Sequence, residues 1–491
     1  MSIVDPIADH FYAPALRHDS APQPQAWVAL QRRQRTPLPS IDLPAVRRAL
    51  CALGRVDDLR HLGHRGPLRP YVGPESDADA IVGRDAIWMA FDLLDQFPCV
   101  ADTTLLALAT LQGVEYDPQT TEEPGRILHE RRQPADADTL RLGSREPLLT
   151  YDAVDTTPQW IRLLAAYTDR AGDSVLSAPI VDRRGRQIIL FDCLLAATEW
   201  LLARLRDPVG GGYLCVRRSS PPGAAGRVWD DTPDAYGDAD SSSFADDELY
   251  APIALQGYAY DALLDAAEIV ARHPTPLAGR LPERLTPHLL QSWAAGLRAR
   301  ILRDFWQPDL GTFALAATFD GPGKASAAAR GRIRPVRVVA SNPGHLLASR
   351  LLDGTDVARL RERLVRRLFE PDLLAGAGLR TRSTGAACFR PGGAHTGAVW
   401  PLDTGIVADG LRRHGYDACA DELDARLLAA CAAVGGFPEY FRGDEDGRIA
   451  VNVATIDELV DGALHRLEGP PRSIGGCTVT RVWRIASRRR D

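Results

Sequence analysis

The stretch GGAHTGAVWPLDTGIVADGLRRHGY, residues 392–416, contains a polar loop that runs into an amphipathic helix. Apolar residues recur at three- and four-residue spacing from residue 399 to residue 415, which is the period of an α-helix. His395, Trp400 and Asp403 lie close together where the loop becomes the helix. The stretch therefore predicts both the kind of secondary structure that dominates the chain and the place of a candidate site.

Most of the remaining chain shows the same helical period, without the alternation of strands and helices that a parallel sheet needs. The best strand patterns, residues 183–190 and 477–485, are short and fit edge hairpins. No repeat of about 20 to 50 residues is present, which argues against a regular solenoid. We expect an all-α chain with helices at residues 43–53, 85–97, 100–113, 158–173, 191–205, 251–273, 285–305, 342–354, 356–369, 399–415 and 417–436.

Composition limits the class of protein. The chain has 491 residues, of which 45% are apolar and 25% charged, as in an ordinary globular protein with a large core. Its net charge of -6 argues against a nucleic-acid surface. The sequence shows neither a run of about 18 apolar residues nor a signal-peptide pattern. We therefore expect a cytoplasmic protein that does not cross a membrane.

The cysteine pattern bears on metal binding and on redox compartment. The 8 cysteines form no CxxC pair and no close cluster with histidines. This pattern argues against a zinc site and is typical of reduced, mostly buried thiols. We expect neither a metal ion nor a cofactor.

A second candidate segment, FPEYFRG at residues 437–443, follows one helix after the first. Glu439 stands there directly behind Pro438 and between Phe437 and Tyr440. Aromatic rings cover the apolar faces of a pyranose, while carboxylates bind its hydroxyls or transfer protons. Each feature alone is more often structural than functional. The combination of rings and acids in the two segments indicates a sugar site.

The longest predicted loop, residues 208–250, carries the acidic run Trp229-Asp230-Asp231. Loops of this length are uncommon in a compact domain unless they are functional or disordered. Neighbouring acids repel one another, which raises some of their pKa values and can keep one carboxyl protonated near neutral pH. A calcium-binding or merely solvated acidic loop is the alternative. The loops between the predicted helices could all emerge at one end of a closed ring of helix pairs, where they would form a shared pocket.

Motifs along the chain resemble those of a known family. VGRDAIWMA (82–90), EEPGRILHE (122–130) and HTGAVWPLD (395–403) are similar, in the same order, to signatures of the bacterial amylo-α-1,6-glucosidase (glycogen-debranching) catalytic domain. The resemblance implies an (α/α)6 toroid, a fold shared with trehalases, glucoamylases and glucosylglycerate or mannosylglycerate hydrolases. The toroid is expected to span residues 41–491, after an N-terminal extension at residues 1–40. Further similar segments lie at residues 151–160, 252–263, 341–349 and 437–443.

The resemblance also implies roles for individual residues. The family motif that carries the general acid falls on Trp229-Asp230-Asp231, so Asp231 is the expected acid. Glu439 is the expected general base that activates water. The residues expected to bind substrate are Arg84, Asp85, Trp229, His395, Trp400 and Asp403, with Glu123 and Asp155 holding loops and hydroxyls.

The chain departs from the family pattern in three places. Asp230 stands where the family has a lysine beside the acid. About 40 residues precede the first predicted helix, where the family commonly has a β-sandwich. From about residue 454, the chain diverges from the family's C-terminal helix.

Three functions remain open. The first is an inverting glycoside hydrolase that acts on α-glucosidic linkages in the manner of an amylo-α-1,6-glucosidase. The second is a hydrolase of a small α-glucoside such as glucosylglycerate, mannosylglycerate or trehalose, which the missing sandwich favours because extra sugar-binding surface suits long polymers. The third is a toroid that binds sugar without cleaving it. All three share a carbohydrate partner and leave the linkage and the oligomeric state open.

Overall fold

A computed structural model describes most of the chain, and it is rich in α-helix. The residues described are 38–72, 80–132, 148–217, 227–232, 234–237, 244, 248–272, 285–319, 333–451, 454–460, 463–469 and 474–488. Within them the α-helices are α1 (Leu43–Gly54), α2 (Gly83–Leu93), α3 (Pro98–Thr110), α4 (Thr156–Ala171), α5 (Leu190–Arg206), α6 (Ile253–Arg272), α7 (Pro287–Asp304), α8 (Ala358–Leu368), α9 (Pro401–Arg413), α10 (Asp417–Val434) and α11 (Gly476–Ser487).

The strands are short and lie between the helices. They are β1 (Tyr71–Val72), β2 (Ile81–Val82), β3 (Glu130–Arg132), β4 (Leu148–Thr150), β5 (Pro179–Val181), β6 (Gln187–Ile189), β7 (Val216–Arg217), β8 (Leu249–Pro252), β9 (Trp306–Gln307), β10 (Thr312–Phe313), β11 (Ala316–Phe319), β12 (Ile333–Val336), β13 (Ala454–Val460), β14 (Ala463–Gly469) and β15 (Ile474–Gly475). The largest sheet has the order β12-β11-β8-β7, and every strand pair is antiparallel.

The helices form a closed double ring. Around the inner ring, α2 contacts α4, α4 contacts α6, and α6 contacts the 3₁₀ helix Asn342–Ala348. This 3₁₀ helix contacts α9, α9 contacts α11, and α11 returns to α2. The outer layer consists of α1, α3, α5, α7, α8 and α10, each packed against members of the inner ring. The arrangement confirms the expected (α/α)6 toroid.

Inner and outer helices alternate along the chain, and this decides where a site can form. Because consecutive antiparallel helices reverse the chain direction, all inner helices begin at the same end of the ring. The loops that enter α2, α4, α6, α9 and α11 therefore meet at that end. It is the end at which the predicted site residues lie.

Local signals explain several helix boundaries. The Asp42 side chain accepts a hydrogen bond from the backbone N–H of Ala45 at 3.0 Å, and proline occupies the first turn of α1. At the end of α10, Gly435 has a φ of 66°, the left-handed conformation that ends helices and that glycine adopts without steric cost. The helices pack around a continuous apolar core that includes the fully buried Trp160, Phe191 and Phe305.

The short elements match the sequence pattern only in part. The predicted edge hairpin around residues 183–190 is present as the antiparallel pair β5 and β6. The predicted helix at residues 342–354 is instead two 3₁₀ segments, Asn342–Ala348 and Arg350–Leu352. The first residues of this segment place buried Asn342 and His345 at the site end of the ring.

The expected strand at residues 477–485 is wrong, because α11 occupies Gly476–Ser487. Its many β-branched residues favour a strand, but the packing requires a helix here. Arg481 is 2% exposed and pairs with Asp92 of α2 at 2.7 Å and with Asp409 of α9 at 2.6 Å. Arg484 contacts the same two aspartates. These buried charges hold a helix as the element that closes the ring, inside the C-terminal segment that diverges from the family pattern.

We expect Arg481→Met to destabilise the fold by about 3 kcal/mol, because it leaves the buried carboxylate of Asp92 and the half-buried carboxylate of Asp409 with less positive charge nearby. Arg484 compensates in part, since it also contacts Asp92 and Asp409. Urea unfolding followed by circular dichroism measures the change. As the control, Arg60→Met removes an arginine that pairs with Asp58 at the surface and should leave the midpoint nearly unchanged. Equal midpoints for the two variants would contradict the role of the buried cluster.

Candidate active site

The site end of the ring brings together residues from distant parts of the chain. Arg84 and Asp85 belong to the first turn of α2, and Asp155 directly precedes α4. Asp403 lies in the first turn of α9. A carboxylate in the first turn of a helix is stabilised by the positive end of the helix dipole. The helix starts thus gather acidic groups at one end of the ring.

Arg84 connects two of the acids. Its Nε donates to both carboxylate oxygens of Asp155, at 3.1 and 3.0 Å, and its Nη1 lies 3.5 Å from Oδ2 of Asp231. Arg84 is 5% exposed and Asp155 is 1% exposed, so this pair is buried. Burial opposes the charge of Arg84, but Asp155, Asp231 and Asp85 outweigh it and raise the pKa of the guanidinium. Arg84 therefore remains positively charged next to Asp231.

Aromatic rings form a continuous wall. The His395 ring stacks on Trp400 with centroids 4.8 Å apart and planes inclined by 10°. Trp400 in turn stacks on Tyr440 at 4.8 Å. The Trp229 ring meets His395 edge-on at 5.4 Å and also packs against His345. His395 and Trp229 are buried, whereas Trp400 and Tyr440 are half-buried, so the last two rings offer the exposed apolar surface that a pyranose face needs.

Four buried polar atoms of the predicted site residues have no hydrogen-bond partner among the described residues. Asp403 is fully buried and accepts from Nε2 of His345 through Oδ1 at 2.7 Å, while its Oδ2 has no partner. The same holds for Nη2 of Arg84, Nε1 of Trp229 and Nδ1 of His395. Buried polar groups normally have partners. All four atoms are buried in this structure, so a sugar hydroxyl can reach them only if the surrounding side chains shift.

The two predicted catalytic carboxylates are open to solvent. Both Asp231 and Glu439 have solvent-exposed side chains. Neighbouring protein atoms nevertheless remove part of the hydration of each carboxylate. Loss of hydration, with the charges of Asp85 and Asp231, raises the pKa of Glu439 to about 7. Loss of hydration acts in the same direction on Asp231, but His395 at 3.7 Å and the Arg84 charge outweigh it and hold its pKa well below its usual range. In the free site, Glu439 is therefore mostly protonated below about pH 7, whereas Asp231 is ionised.

The repulsion expected between the neighbouring acids therefore does not raise the pKa of Asp231. Asp230, the nearest acid in sequence, is 1% exposed and accepts hydrogen bonds from Tyr236 at 2.8 Å and Asn342 at 2.9 Å. Arg382 lies 3.8 Å from the same carboxylate. Burial raises the pKa of Asp230, and Arg382 opposes the rise. Asp230 thus anchors the loop, while the groups that set the charge of Asp231 come from elsewhere in the chain.

Glu123 does not join the other predicted site residues through any contact that the described residues show. Its carboxylate accepts from Nε1 of Trp200 and pairs with Arg204 at 2.7 Å and with Arg126 at 3.7 Å. It lines a separate cavity of about 430 Å³ between the loop after α3 and the end of α5. These contacts hold loops together. We expected Glu123 to hold loops and sugar hydroxyls, and the contacts agree with the first of these roles.

The structure adds residues that sequence reasoning missed. His129 is buried, and its Nδ1 lies 2.5 Å from Oδ1 of Asp152. Tyr258 hydrogen-bonds His345, which places both behind Asp403. His129 lies in the segment 122–130 and His345 in the segment 341–349, both of which resemble the family. This resemblance was a signal that could have identified them as site residues.

Two further properties concern metals and membranes. Among the described residues, no group of three or more His, Cys, Asp or Glu side chains is placed to hold a metal ion. In the same part of the chain, none of the helices combines the length and the apolar character needed to cross a membrane.

The fold and the site together define a class of protein. An (α/α)6 toroid with solvent-open carboxylates and stacked rings at one end fits a glycoside hydrolase. Residues 150–450 match the family described as mannosylglycerate hydrolase MGH1-like glycoside hydrolase domain, and the chain belongs to this family. The protein is thus a glycoside hydrolase of the six-hairpin type.

Solved structures support the same fold. The chain is similar to the GH63 mannosylglycerate hydrolase from Thermus thermophilus in complex with glucose, with a TM-score of 0.56, 16% identity and coverage of 90% of this chain and 100% of that chain. The complex of that enzyme with Tris and D-glycerate has a TM-score of 0.57 at 14% identity, with the same coverage of both chains. No curated protein matches the sequence.

Proposed function

We propose that this protein is an inverting hydrolase of a small α-glycoside, of the glucosylglycerate, mannosylglycerate or trehalose type. The observation that carries the proposal is the pair of solvent-open carboxylates, Asp231 and Glu439, set in a wall of stacked rings. The family comparison agrees with a small glycoside better than with glycogen debranching. The two solved structures described above are of a mannosylglycerate hydrolase, and one of them has D-glycerate bound.

In the proposed reaction, the sugar ring lies against the exposed parts of Trp400 and Tyr440, while Trp229 packs against Trp400. Arg84, His395 and Asp403 are the polar groups expected to bind its hydroxyls, which requires the side chains around these buried groups to shift when the sugar enters. Asp231 donates a proton to the leaving oxygen, while Glu439 accepts a proton from the water that attacks from the opposite face. Inversion requires the two carboxyl groups to lie roughly 6.5–9.5 Å apart, so that the water fits between base and sugar.

The protonation of the free site adds a step to this scheme. The pair holds one proton near neutral pH, and this proton lies on Glu439 because its pKa is the higher of the two. The reactive form needs the proton on Asp231. A bound sugar removes water from Asp231 and thereby raises its pKa, which shifts the single proton towards the acid. Activity still depends on the pair carrying one proton, whichever carboxyl holds it.

A substrate panel tests the function. Purified protein is incubated with glucosylglycerate, mannosylglycerate, trehalose and an α-1,6-branched glucan, and free sugar is measured. We expect release from a small glycoside, with the first-formed sugar in the anomeric form opposite to that of the substrate by NMR. Release from the branched glucan alone would support debranching. Sugar binding without release from any substrate would support the non-catalytic alternative.

The pH dependence should follow the single proton of the pair. Because the pKa of Glu439 is raised to about 7, the pair keeps its proton below that pH and loses it above. We expect kcat/KM to fall by about tenfold per pH unit above this pKa. Asp85→Asn removes a negative charge that raises the pKa of Glu439, so its basic limb should move to lower pH. Glu445→Gln alters an exposed carboxylate and should leave the limb in place. An unmoved limb in Asp85→Asn would contradict this electrostatic account.

A further inference from the structure

The start of α11 lies directly against the loop that carries Glu439. The backbone N–H of Gly475 donates to the carbonyl of Phe437 at 2.9 Å. The hydroxyl of Thr478 donates to the carbonyl of Pro438 at 2.7 Å. The two carbonyls that immediately precede Glu439 are thus both held by the last helix. Thr478 is 1% exposed, so no solvent replaces its hydrogen bond.

The contact between Gly475 and Glu439 is one of backbone against backbone. A Cβ atom at position 475 would lie 2.9 Å from the Cα of Glu439 and 3.1 Å from its nitrogen. The φ of Gly475 is -71°, which any residue can adopt, so the glycine is required by space and not by conformation. Because neither partner can rotate away, a side chain here must displace the Glu439 backbone.

The beginning of α11 is itself held in place. The backbone N–H of Gly476 donates to the carbonyl of Pro70 at 2.7 Å, and a Cβ at this position would lie 2.6 Å from the sulfur of Met89. Further along the helix, Arg481 pairs with Asp92 and Asp409 at the inner face of the ring. The contacts thus fix α11 relative to α2 and α9, and α11 in turn fixes the loop that carries Glu439.

We propose that Gly475 and Thr478 are positioning residues that set the place of the Glu439 carboxylate. The inference rests on the proposed role of Glu439 as general base. A base has to be held within about 0.5 Å of its productive position, and a misplacement of about 1 Å can cost about 10²-fold in rate. Two carbonyl anchors and one backbone contact just before and at Glu439 supply such a constraint.

The test compares kcat and KM in variants of these two positions. We expect Gly475→Ala to lower kcat by about 10²-fold with little change in KM, because sugar binding depends on other residues. Gly436→Ala is the matched control, since a Cβ at position 436 has nothing within 4 Å. It should retain the activity of the unaltered protein. An unchanged kcat in Gly475→Ala, in a protein that Glu439→Gln inactivates, would overturn the inference and leave the proposed function standing.

Thr478 provides a second test that does not depend on Gly475→Ala being folded. Thr478→Val keeps the shape and removes the donor to Pro438, whereas Thr478→Ser keeps the donor and removes a methyl group. We expect kcat to fall in Thr478→Val and to be retained in Thr478→Ser, with the basic limb of the pH profile shifted only in Thr478→Val. Equal losses in both variants that follow their melting temperatures would show a structural role and overturn the inference. If the unaltered protein cleaves no α-glycoside, the proposed function fails and the inference fails with it.

Discussion

Glu439→Gln is expected to abolish hydrolysis while leaving sugar binding nearly intact. The amide keeps the shape of the side chain but cannot accept a proton from the attacking water. Loss of a general base typically costs roughly 10²–10⁴-fold or more in kcat. Initial rates with the best substrate of the panel measure the loss, and calorimetric titration of the inactive variant measures binding.

The matched control lies a few residues further along the same loop. Glu445 is exposed, and Glu445→Gln makes the same chemical change away from the rings. Its activity should be nearly that of the unaltered protein. Full activity in Glu439→Gln together with a loss in Glu445→Gln would show that Glu439 is not the general base.

Asp231→Asn is expected to cause a comparable loss of about 10²–10⁴-fold on a substrate with a poor leaving group. An activated aryl glycoside leaves with little need for a proton, so its hydrolysis should be partly spared. The ratio of the two rates, measured in the variant and in the unaltered protein, isolates the role of the acid. Asp234→Asn is the control, because Asp234 is largely exposed and contacts Arg390 at the surface.

The same comparison decides which carboxyl is the acid. In the free site the pKa of Glu439 is raised and that of Asp231 is lowered, which alone would favour Glu439 as the proton donor. If the activated substrate spares Glu439→Gln and not Asp231→Asn, the two roles are reversed. If it spares Asp231→Asn, the bound sugar shifts the proton between the pair, as proposed here.

The pattern of apolar residues was enough to predict the secondary structure of most of the ring. A three- and four-residue period requires only that one face of a helix be buried, and this information is local. It located α4, α6 and α9 to within a few residues. The resemblance of the motifs to a known family likewise predicted that Trp229, His395 and Glu439 belong to one site.

Other elements depended on partners distant in sequence. Residues 477–485 are rich in β-branched side chains, and local preference favours a strand. They form α11 because Arg481 and Arg484 meet Asp92, nearly four hundred residues earlier, together with Asp409. The gain from these buried pairs and from closing the ring outweighs a preference of at most about 1 kcal/mol per residue.

The charge of the catalytic pair is likewise a property of the folded state. In sequence, Asp231 stands among acids, and their repulsion predicts a raised pKa. In the structure, Arg84 and His395, which are 147 and 164 positions away, approach Asp231 and lower its pKa. Meanwhile Asp230 is engaged by Tyr236 and Asn342. Helical periods and motifs depend on near neighbours, whereas protonation depends on which charges the ring brings within a few ångströms, and only the closed toroid determines that.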